Sequence, residues 1–135
     1  MSQLRMTAEP ELGIPVRLLA ARELGVLELL VKFLHEERGM RLADIARLLS
    51  RDARTIWSAY SAAQRKASGP LLLKDGALTV PAAVFGDRRF GPLEAVCAHL
   101  KSTGRSYAEI GRMLNRDSRT IWTVCKRAER KGGSA

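Results

Sequence analysis

The sequence predicts a mainly α-helical fold made of two copies of one three-helix unit, each containing a helix-turn-helix and preceded by a short β arm. The first observation is a repeated block: residues 51–57, Arg-Asp-Ala-Arg-Thr-Ile-Trp, return at 116–122 as Arg-Asp-Ser-Arg-Thr-Ile-Trp. The second is that the match extends over nearly the whole chain, at an offset of 66 before Gly39 and of 65 after it. The third is the apolar helical pattern and short turn that precede the block in both copies, which indicate a helix-turn-helix.

The repeat also predicts the domain boundaries. The offset changes in the loop that ends at Gly39 in the first copy and at Gly104 in the second, and folded duplicates tolerate such a change in a loop. We assign the first unit to residues 1–67, the second to residues 68–132 and a tail to residues 133–135. Because half of a 135-residue chain would be marginally stable alone, we expect the two units to share one core.

Each unit begins with an arm that we predict to be extended. Residues 71–81 have the pattern of a short hairpin with a turn at Asp75-Gly76, and residues 4–15 have a weaker form of it. Because an isolated two-stranded hairpin is marginally stable, the two arms can instead pair into one small sheet about a pseudo-twofold axis. A short helical turn is expected after each arm, at residues 16–21 and 82–85.

The first helix of each unit is predicted to begin after Gly25 and Gly91. A glycine at the N-cap followed three residues later by a glutamate, here Glu28 or Glu94, is a start signal for a helix. Apolar residues at helical spacing then define the face that we expect to be buried. That face consists of Leu27, Leu30, Val31 and Leu34, and in the second copy of Leu93, Val96, Cys97 and Leu100.

The second and third helices form the helix-turn-helix. Helix 2 is predicted at residues 42–49 and 107–114, and a small residue in the middle of each, alanine or glycine, leaves room for helix 3 to cross closely. Asp52 and Asp117 are predicted to cap helix 3, because a carboxylate accepts hydrogen bonds from the unpaired amides of a first turn and complements the helix dipole.

The chain is strongly basic. It carries 23 lysines and arginines against 14 aspartates and glutamates, a net charge of +9. Residues 11–67 contain ten basic and seven acidic side chains, whereas residues 77–135 contain eleven and five, so the second unit is the more basic one. A polyanionic partner fits this charge, and a solvated basic surface without a partner is the alternative.

The apolar segments are too short to cross a membrane and no signal peptide opens the chain, so we expect a soluble, cytoplasmic protein without a membrane partner.

The sequence offers little for metal, cofactor or enzyme chemistry. Cys97 and Cys125 lie at helical positions suited to packing, so we interpret them as reduced core residues. His35 and His99 do not correspond to each other in the repeat, and we expect both to be surface or half-buried residues. With no acid pair, no nucleophile beside a base, no metal cluster and no phosphate-binding glycine loop in the sequence, we expect neither a cofactor nor an enzyme.

The repeated block carries a family resemblance. Residues 45–56 and 110–121 both read Ile, small, two variable residues, Leu, a two-residue turn, a capping aspartate, one residue and Arg-Thr-Ile. This pattern resembles the helix-turn-helix of bacterial sigma-factor region 4 and of response-regulator DNA-binding domains. The chain departs from that family in having Arg51 or Arg116 at a turn position that is usually apolar, and in having a tryptophan in helix 3. The resemblance implies that helix 3 lies in the major groove of DNA with its N-terminal residues on base edges.

The resemblance also implies which residues contact DNA. The candidates for base edges are Ala53, Arg54, Trp57, Ser58, Ser61, Ser118, Arg119, Trp122, Thr123 and Lys126. Arg119 is the strongest of them, because a guanidinium can donate to two acceptors of guanine at once. The candidates for phosphate contacts are Arg51, Thr55, Lys101, Arg112, Arg116 and Thr120. For Arg54 and Arg119 the alternative is a salt bridge to the capping aspartate or to an acid on helix 2.

The two tryptophans have two interpretations. Ile56 and Ile121 take the core-facing position, so Trp57 and Trp122 point about 100° around the helix, toward its flank. We favour partial burial of the rings against an arm or against the other unit. Direct contact with DNA is the alternative, since a large amphipathic ring suits an interface of either kind.

These observations favour a sequence-selective protein that binds double-stranded DNA, most simply a transcription regulator. The alternative from a different class is a protein-interaction or assembly adaptor whose helix-turn-helix surfaces bind protein, and a third hypothesis is architectural DNA binding with little selectivity. The sequence leaves open whether the chain also associates with itself, as a homo-oligomer, or with another protein.

Overall fold

The structure, a computed structural model, describes residues 12–71 and 78–132, and these are mainly helical. We call the two segments the first half and the second half. The elements are, in chain order, β1 (Gly13–Pro15), a 3-10 helix (Val16–Ala20), α1 (Val26–Lys32), a π-helical turn (Phe33–Glu37), α2 (Leu42–Leu49), α3 (Ala53–Lys66), β2 (Thr79–Pro81), a second 3-10 helix (Ala82–Gly86), α4 (Pro92–Ser102), α5 (Tyr107–Leu114) and α6 (Ser118–Gly132). Apart from the π-helical turn, which occurs in the first half, both halves contain the same kinds of element in the same order.

The two arms pair with each other, as predicted. β1 and β2 are antiparallel, and Ile14 lies opposite Val80, its equivalent in the repeat. The ladder is extended by two matching hydrogen bonds, from the Val16 amide to the Leu78 carbonyl at 3.2 Å and from the Ala82 amide to the Leu12 carbonyl at 2.8 Å. Equivalent residues that face each other across an antiparallel pair are related by a local twofold axis. The predicted turn at Asp75-Gly76, residues 4–11 of the first arm and the tail lie outside the described residues.

The helix boundaries follow the sequence signals. The side chains of Glu28 and Glu94 accept hydrogen bonds from the amides of Gly25 and Gly91, at 2.9 and 3.0 Å, and so fix the start of α1 and α4. The predicted glycines follow the first helix of each half, with φ angles of +70° at residue 39 and +96° at residue 104 that side chains rarely adopt. The predicted spans of α2 and α5 are confirmed.

Each half packs one of its elements on the other half. The 3-10 helix of the first half lies against α5 of the second, and the 3-10 helix of the second half lies against α2 of the first. α1 and α4 also contact each other. As a result, one continuous hydrophobic cluster runs through both halves, with Leu19, Leu30, Ile45, Phe85 and Ile110 among its buried members. The expectation of a shared core is confirmed.

Arg51 ties the first half to the second. Its Nη1 donates to the carbonyls of Leu49 and Phe85, both at 2.7 Å, and its Nη2 donates to the carbonyl of Phe90 at 3.1 Å. Burial lowers the pKa of this guanidinium, and the charge of the neighbouring Arg88 lowers it further. The arginine therefore supplies donors to carbonyls of both halves that would otherwise be poorly satisfied.

Arg116 makes the equivalent connection in the opposite direction. Its Nη1 donates to the carbonyl of Leu114 at 2.8 Å and to that of Leu19, in the first half, at 3.2 Å. Burial lowers its pKa as well, followed by the charge of Arg22. Asn115 adds a hydrogen bond from its side-chain amide to the carbonyl of Ala20, at 3.3 Å. The two halves are therefore joined reciprocally at their turns.

The halves differ in one buried polar network. Lys32 is fully buried in α1 and donates to Gln64 at 2.7 Å and to Glu36 at 3.1 Å. Tyr60 also donates to Glu36, at 2.7 Å, and its ring lies edge-on to that of His35. The repeat puts alanine, serine and cysteine at the positions of Lys32, Glu36 and Tyr60 in the second half, so this network belongs to the first half alone.

Replacing Arg51 should test the connection between the halves. Arg51→Ala removes the donor for three carbonyls, so we expect the free energy of unfolding to fall by about 2–4 kcal/mol. Arg54→Ala, at an exposed position three residues away, should change it by less than about 0.5 kcal/mol. Urea unfolding followed by circular dichroism measures both. Equal effects of the two substitutions would contradict the structural role of Arg51.

An ion pair between the third and the first helix of each half should make stability depend on pH in the acid range. Lys66 donates to Glu28 at 2.9 Å, and Lys131 donates to Glu94 at 2.7 Å. Burial by itself would raise the pKa of each carboxyl, but the hydrogen bonds and charges of the lysine and of the N-cap amide outweigh it, and both pKa values lie below the ordinary one. The unfolded chain therefore takes up protons before the folded one does.

We expect this contribution to be fully present above about pH 4.5, the ordinary pKa of a glutamate, and to be lost as the pH falls from there through the lowered pKa of the folded state. Glu94→Gln should flatten the fall in unfolding free energy below that pH, and Glu37→Gln, at an exposed position, is the charge-matched control. Urea unfolding between pH 7 and pH 3 gives the comparison. An unchanged acid limb in Glu94→Gln would contradict the assignment.

Candidate nucleic-acid interface

α3 and α6 present matching exposed faces. Ile56, Ala59 and Ala63 form the buried stripe of α3, and Ile121, Val124 and Ala128 form that of α6. At about 100° per residue, positions 54, 57, 58 and 61 lie on the opposite side of α3, and positions 119, 122, 123 and 126 on the opposite side of α6. These are the positions predicted to approach base edges. All are exposed except Ser61 and Lys126, which are half-buried, and the predicted Ala53 and Ser118 are exposed at the helix starts.

The first turns of α3 and α6 are held by the predicted caps. Ser50 and Asn115 take left-handed backbone conformations, with φ angles of 55° and 59°, and end the preceding helices. Asp52 then accepts a hydrogen bond from the amide of Arg54 at 3.1 Å, and Asp117 accepts one from the amide of Arg119 at 2.8 Å. The turns at residues 50–52 and 115–117 therefore set the orientation of the exposed faces of α3 and α6.

The side chains of Arg54 and Arg119 form no ion pair with the described residues. Within residues 12–71 and 78–132, neither guanidinium lies within salt-bridge distance of a carboxylate. Asp52 and Asp117 bond the backbone amides of these arginines and not their side chains. The salt bridge considered as the alternative is absent from this part of the chain, and both cations are exposed.

The tryptophans are exposed, which contradicts the favoured sequence interpretation. The exposed fraction is 61% for Trp57 and 48% for Trp122, and these are the large hydrophobic side chains most open to solvent among the described residues. The ammonium group of Lys126 lies 5.6 Å from the centre of the Trp122 ring. Both rings are therefore more open to solvent than the predicted packing against an arm or the other half implies, because the shared core forms on the opposite side of α3 and α6.

Three predicted phosphate contacts have other roles in the structure. Arg51 and Arg116 use their guanidinium groups to bond carbonyls in the joint between the halves. Lys101 donates to the carbonyl of Arg105 at 3.3 Å and covers the ring of Tyr107. It lies beside Cys125, on the buried side of α6, so it is not brought to the exposed face. The remaining candidates, Thr55, Arg112 and Thr120, are exposed.

A groove lies at the turn before α6. Its volume is about 630 Å³, and it contains Arg112, Asn115, Arg116, Asp117 and Ser118 together with Arg22 from the first half. We call it the arginine groove. Arg22 is exposed and donates from Nη1 to the carbonyl of Asn115 at 3.1 Å.

The corresponding arginine of the second half behaves in the same way. Arg88 is exposed and donates from Nη1 to the carbonyl of Ser50, also at 3.1 Å. Sequence reasoning did not select Arg22 or Arg88, which lie far from the turns along the chain. The available signal was that they occupy equivalent positions in the repeat, between the arm and the first helix.

Gly111 belongs to the close crossing that the sequence predicted for α5 and α6. A Cβ atom on this residue would lie 2.6 Å from the carbonyl oxygen of Arg116 and 3.3 Å from the amide of Ser118. The first contact is shorter than side chains tolerate, the second is tight, and both involve backbone atoms. The absence of a side chain is therefore a steric requirement of the turn in the second half.

The cysteines are packing residues, as expected. Both are free and buried, and the Cys125 thiol lies 3.9 Å from the carbonyl of Cys97. Burial, with the nearby Cys125, raises the pKa of the Cys97 thiol to about 12, so it is protonated at neutral pH.

In the described segments no three His, Cys, Asp or Glu side chains come together as a metal site would need. None of the helices described there is both long enough and apolar enough to cross a bilayer.

Comparison of the chain with models of protein families, with curated proteins and with solved structures finds no match.

The exposure of the tryptophans leads to a stability prediction. Trp57→Ala and Trp122→Ala should each change the free energy of unfolding by about 1 kcal/mol or less, because roughly half or more of each side chain stays in water on folding. Ile56→Ala, one residue away on the buried side, should cost about 2–5 kcal/mol. Urea unfolding followed by far-ultraviolet circular dichroism compares them without relying on tryptophan emission. A cost for Trp57→Ala close to that of Ile56→Ala would show that the ring is buried.

Proposed function

We propose that this chain binds double-stranded DNA in a sequence-selective manner and acts as a transcription regulator, with α3 and α6 as recognition helices. The observation that carries the proposal is the pair of equivalent helix faces. Each combines an exposed arginine that forms no ion pair within the described part of the chain, an exposed tryptophan and exposed hydroxyl groups. A net charge of +9 supports a polyanionic partner. The separation of these faces from the shared core leaves them accessible.

The proposal treats α2 with α3, and α5 with α6, as two helix-turn-helix units. Its support is the short turn, the left-handed residue that ends the first helix and the aspartate that caps the second, all present in both halves. In such units the second helix enters the major groove with its N-terminal residues on base edges. Arg54 and Arg119 would then be the main readers of bases, since a guanidinium can donate to both acceptors of guanine.

The other exposed residues have supporting roles in this proposal. Thr55 and Thr120 lie in the first turns of the recognition helices, and Arg112 lies in α5. These three residues would contact phosphates, which position the protein without reading sequence. Ser58, Ser61, Thr123 and Lys126 would complete the face toward the bases. The half-buried position of Ser61 and Lys126, further along each helix, fits a role at the edge of the contact.

The local twofold relation of the arms supports a specific geometry. If both recognition helices enter the major groove on one face of the duplex, their centres must be roughly 34 Å apart, one turn of the helix. The two halves of a single chain would then bind DNA as the two subunits of a dimer do. The preferred DNA site would be an imperfect inverted repeat. The unequal charge of the two halves favours unequal half-sites.

A second candidate function rests on a different observation. An open groove of about 530 Å³ lies between α1, α3 and the start of α4, and apolar atoms dominate its surface. Its walls include Leu27, Pro92 and Leu93, and Thr55 and Ser58 of the exposed face form its rim. An open apolar groove of this kind suits a protein partner, so an adaptor function is the alternative to DNA binding.

The decisive experiment is the selection of bound duplexes from a random pool with the full chain. We expect enrichment of an inverted repeat and binding that weakens steeply with salt. Arg119→Ala should weaken binding to the selected site by about 1–3 kcal/mol and should relax selectivity at one position. Arg38→Ala, an exposed arginine in the loop after α1, is the matched control and should leave selectivity unchanged.

Failure to enrich any duplex, together with no salt-dependent binding to DNA, would reject the DNA-binding function and favour the adaptor. Binding without enrichment of a site would instead favour architectural binding with little selectivity. Equal losses for Arg119→Ala on selected and random duplexes would contradict base reading by Arg119 while leaving DNA binding intact.

A further inference from the structure

The turns of the two proposed helix-turn-helix units each receive an arginine from the opposite half. Arg22 reaches the carbonyl of Asn115 in the second half, and Arg88 reaches the carbonyl of Ser50 in the first, with the same distance of 3.1 Å. Asn115 and Ser50 are the left-handed residues that end α5 and α2. Each arginine therefore lies immediately before the recognition helix of the half to which it does not belong.

These arginines keep donors that the protein does not use. Within the described residues, Arg22 and Arg88 each make one side-chain hydrogen bond, through Nη1, and neither forms an ion pair with a carboxylate. Both side chains are exposed. The remaining N–H groups of each guanidinium are available to an acceptor in solvent, and a planar guanidinium matches the oxygens of a phosphate well.

The charges around Arg22 favour an anion. Arg112 and Arg116 share the arginine groove with it, and the carboxylate there is Asp117, which accepts a hydrogen bond from the Arg119 amide. The proximity of Arg22 contributes to the lowered pKa of Arg116, after burial, which indicates that like charges repel each other at this place. In the first half Arg88 contributes in the same way to the lowered pKa of Arg51. An anion bound beside either pair would relieve that repulsion.

We propose that Arg22 and Arg88 each bind a phosphate of the DNA backbone beside the recognition helix of the opposite half. The inference rests on the proposed DNA-binding function and adds that each contact surface is built from both halves. One half supplies the recognition helix and the other supplies the phosphate-binding arginine. A purely structural role, in which each arginine only caps a carbonyl, predicts no effect on the salt dependence of binding.

The test measures the binding of the full chain to one selected duplex between 50 and 200 mM NaCl. Each phosphate contact contributes about 0.9 to the slope of log affinity against log salt concentration. Arg22→Gln with Arg88→Gln should therefore reduce the magnitude of the slope by about 1.8, so that the same increase in salt weakens this variant roughly tenfold less than the wild type. Arg22→Lys with Arg88→Lys keeps both charges and should retain most of the slope.

Arg17→Gln with Arg38→Gln removes two exposed arginines that do not lie at the turns and is the matched control. Its slope should equal that of the wild type, and circular dichroism should show that all variants are folded. An unchanged slope in the glutamine variant, or an equal decrease in the control, would overturn this inference and leave the DNA-binding function standing. A wild-type chain that binds no duplex would overturn the DNA-binding function as well.

Discussion

Buried carbonyl groups need donors, and in this protein arginines of the repeated turns supply them across the boundary between the halves. Arg51 satisfies the carbonyls of Phe85 and Phe90, and Arg116 satisfies that of Leu19. A buried carbonyl without a partner costs free energy comparable to a lost hydrogen bond. The reciprocal connection therefore favours one arrangement of the halves, in which each 3-10 helix lies on the second helix of the other half.

This arrangement determines which surfaces stay open. Because α2 and α5 are covered by the 3-10 helices, the core forms on their side, and the far sides of α3 and α6 remain in solvent. The caps at Asp52 and Asp117 then hold the first turns of those helices. The contact between the halves and the exposed faces of α3 and α6 are thus consequences of the same packing. A change in how the halves pack would therefore also change the exposed faces.

The two copies have diverged in ways that keep their volume balanced. Phe90 occupies the position of Leu24, and Gly132 occupies the position of Ala67. A Cβ atom on Gly132 would lie 2.7 Å from the Phe90 ring, so the larger side chain at one position requires the smaller residue at the other. The second half has Ala98, Ser102 and Cys125 in place of Lys32, Glu36 and Tyr60 of the buried network.

The sequence by itself determined the repeat, the helices with their caps and the expectation of a shared core, and it offered the pairing of the arms as one of two possibilities. These follow from local chemistry: a glutamate reaches the amide three residues before it, an aspartate caps a first turn, and apolar spacing marks a buried side. The tertiary structure alone decided the roles of Arg51 and Arg116, the exposure of Trp57 and the position of Arg22 beside Asn115. A guanidinium can bond either phosphate or carbonyl oxygens, and the sequence does not show which acceptor lies nearby. Periodicity shows the direction of a side chain around its own helix without showing which distant segment covers it.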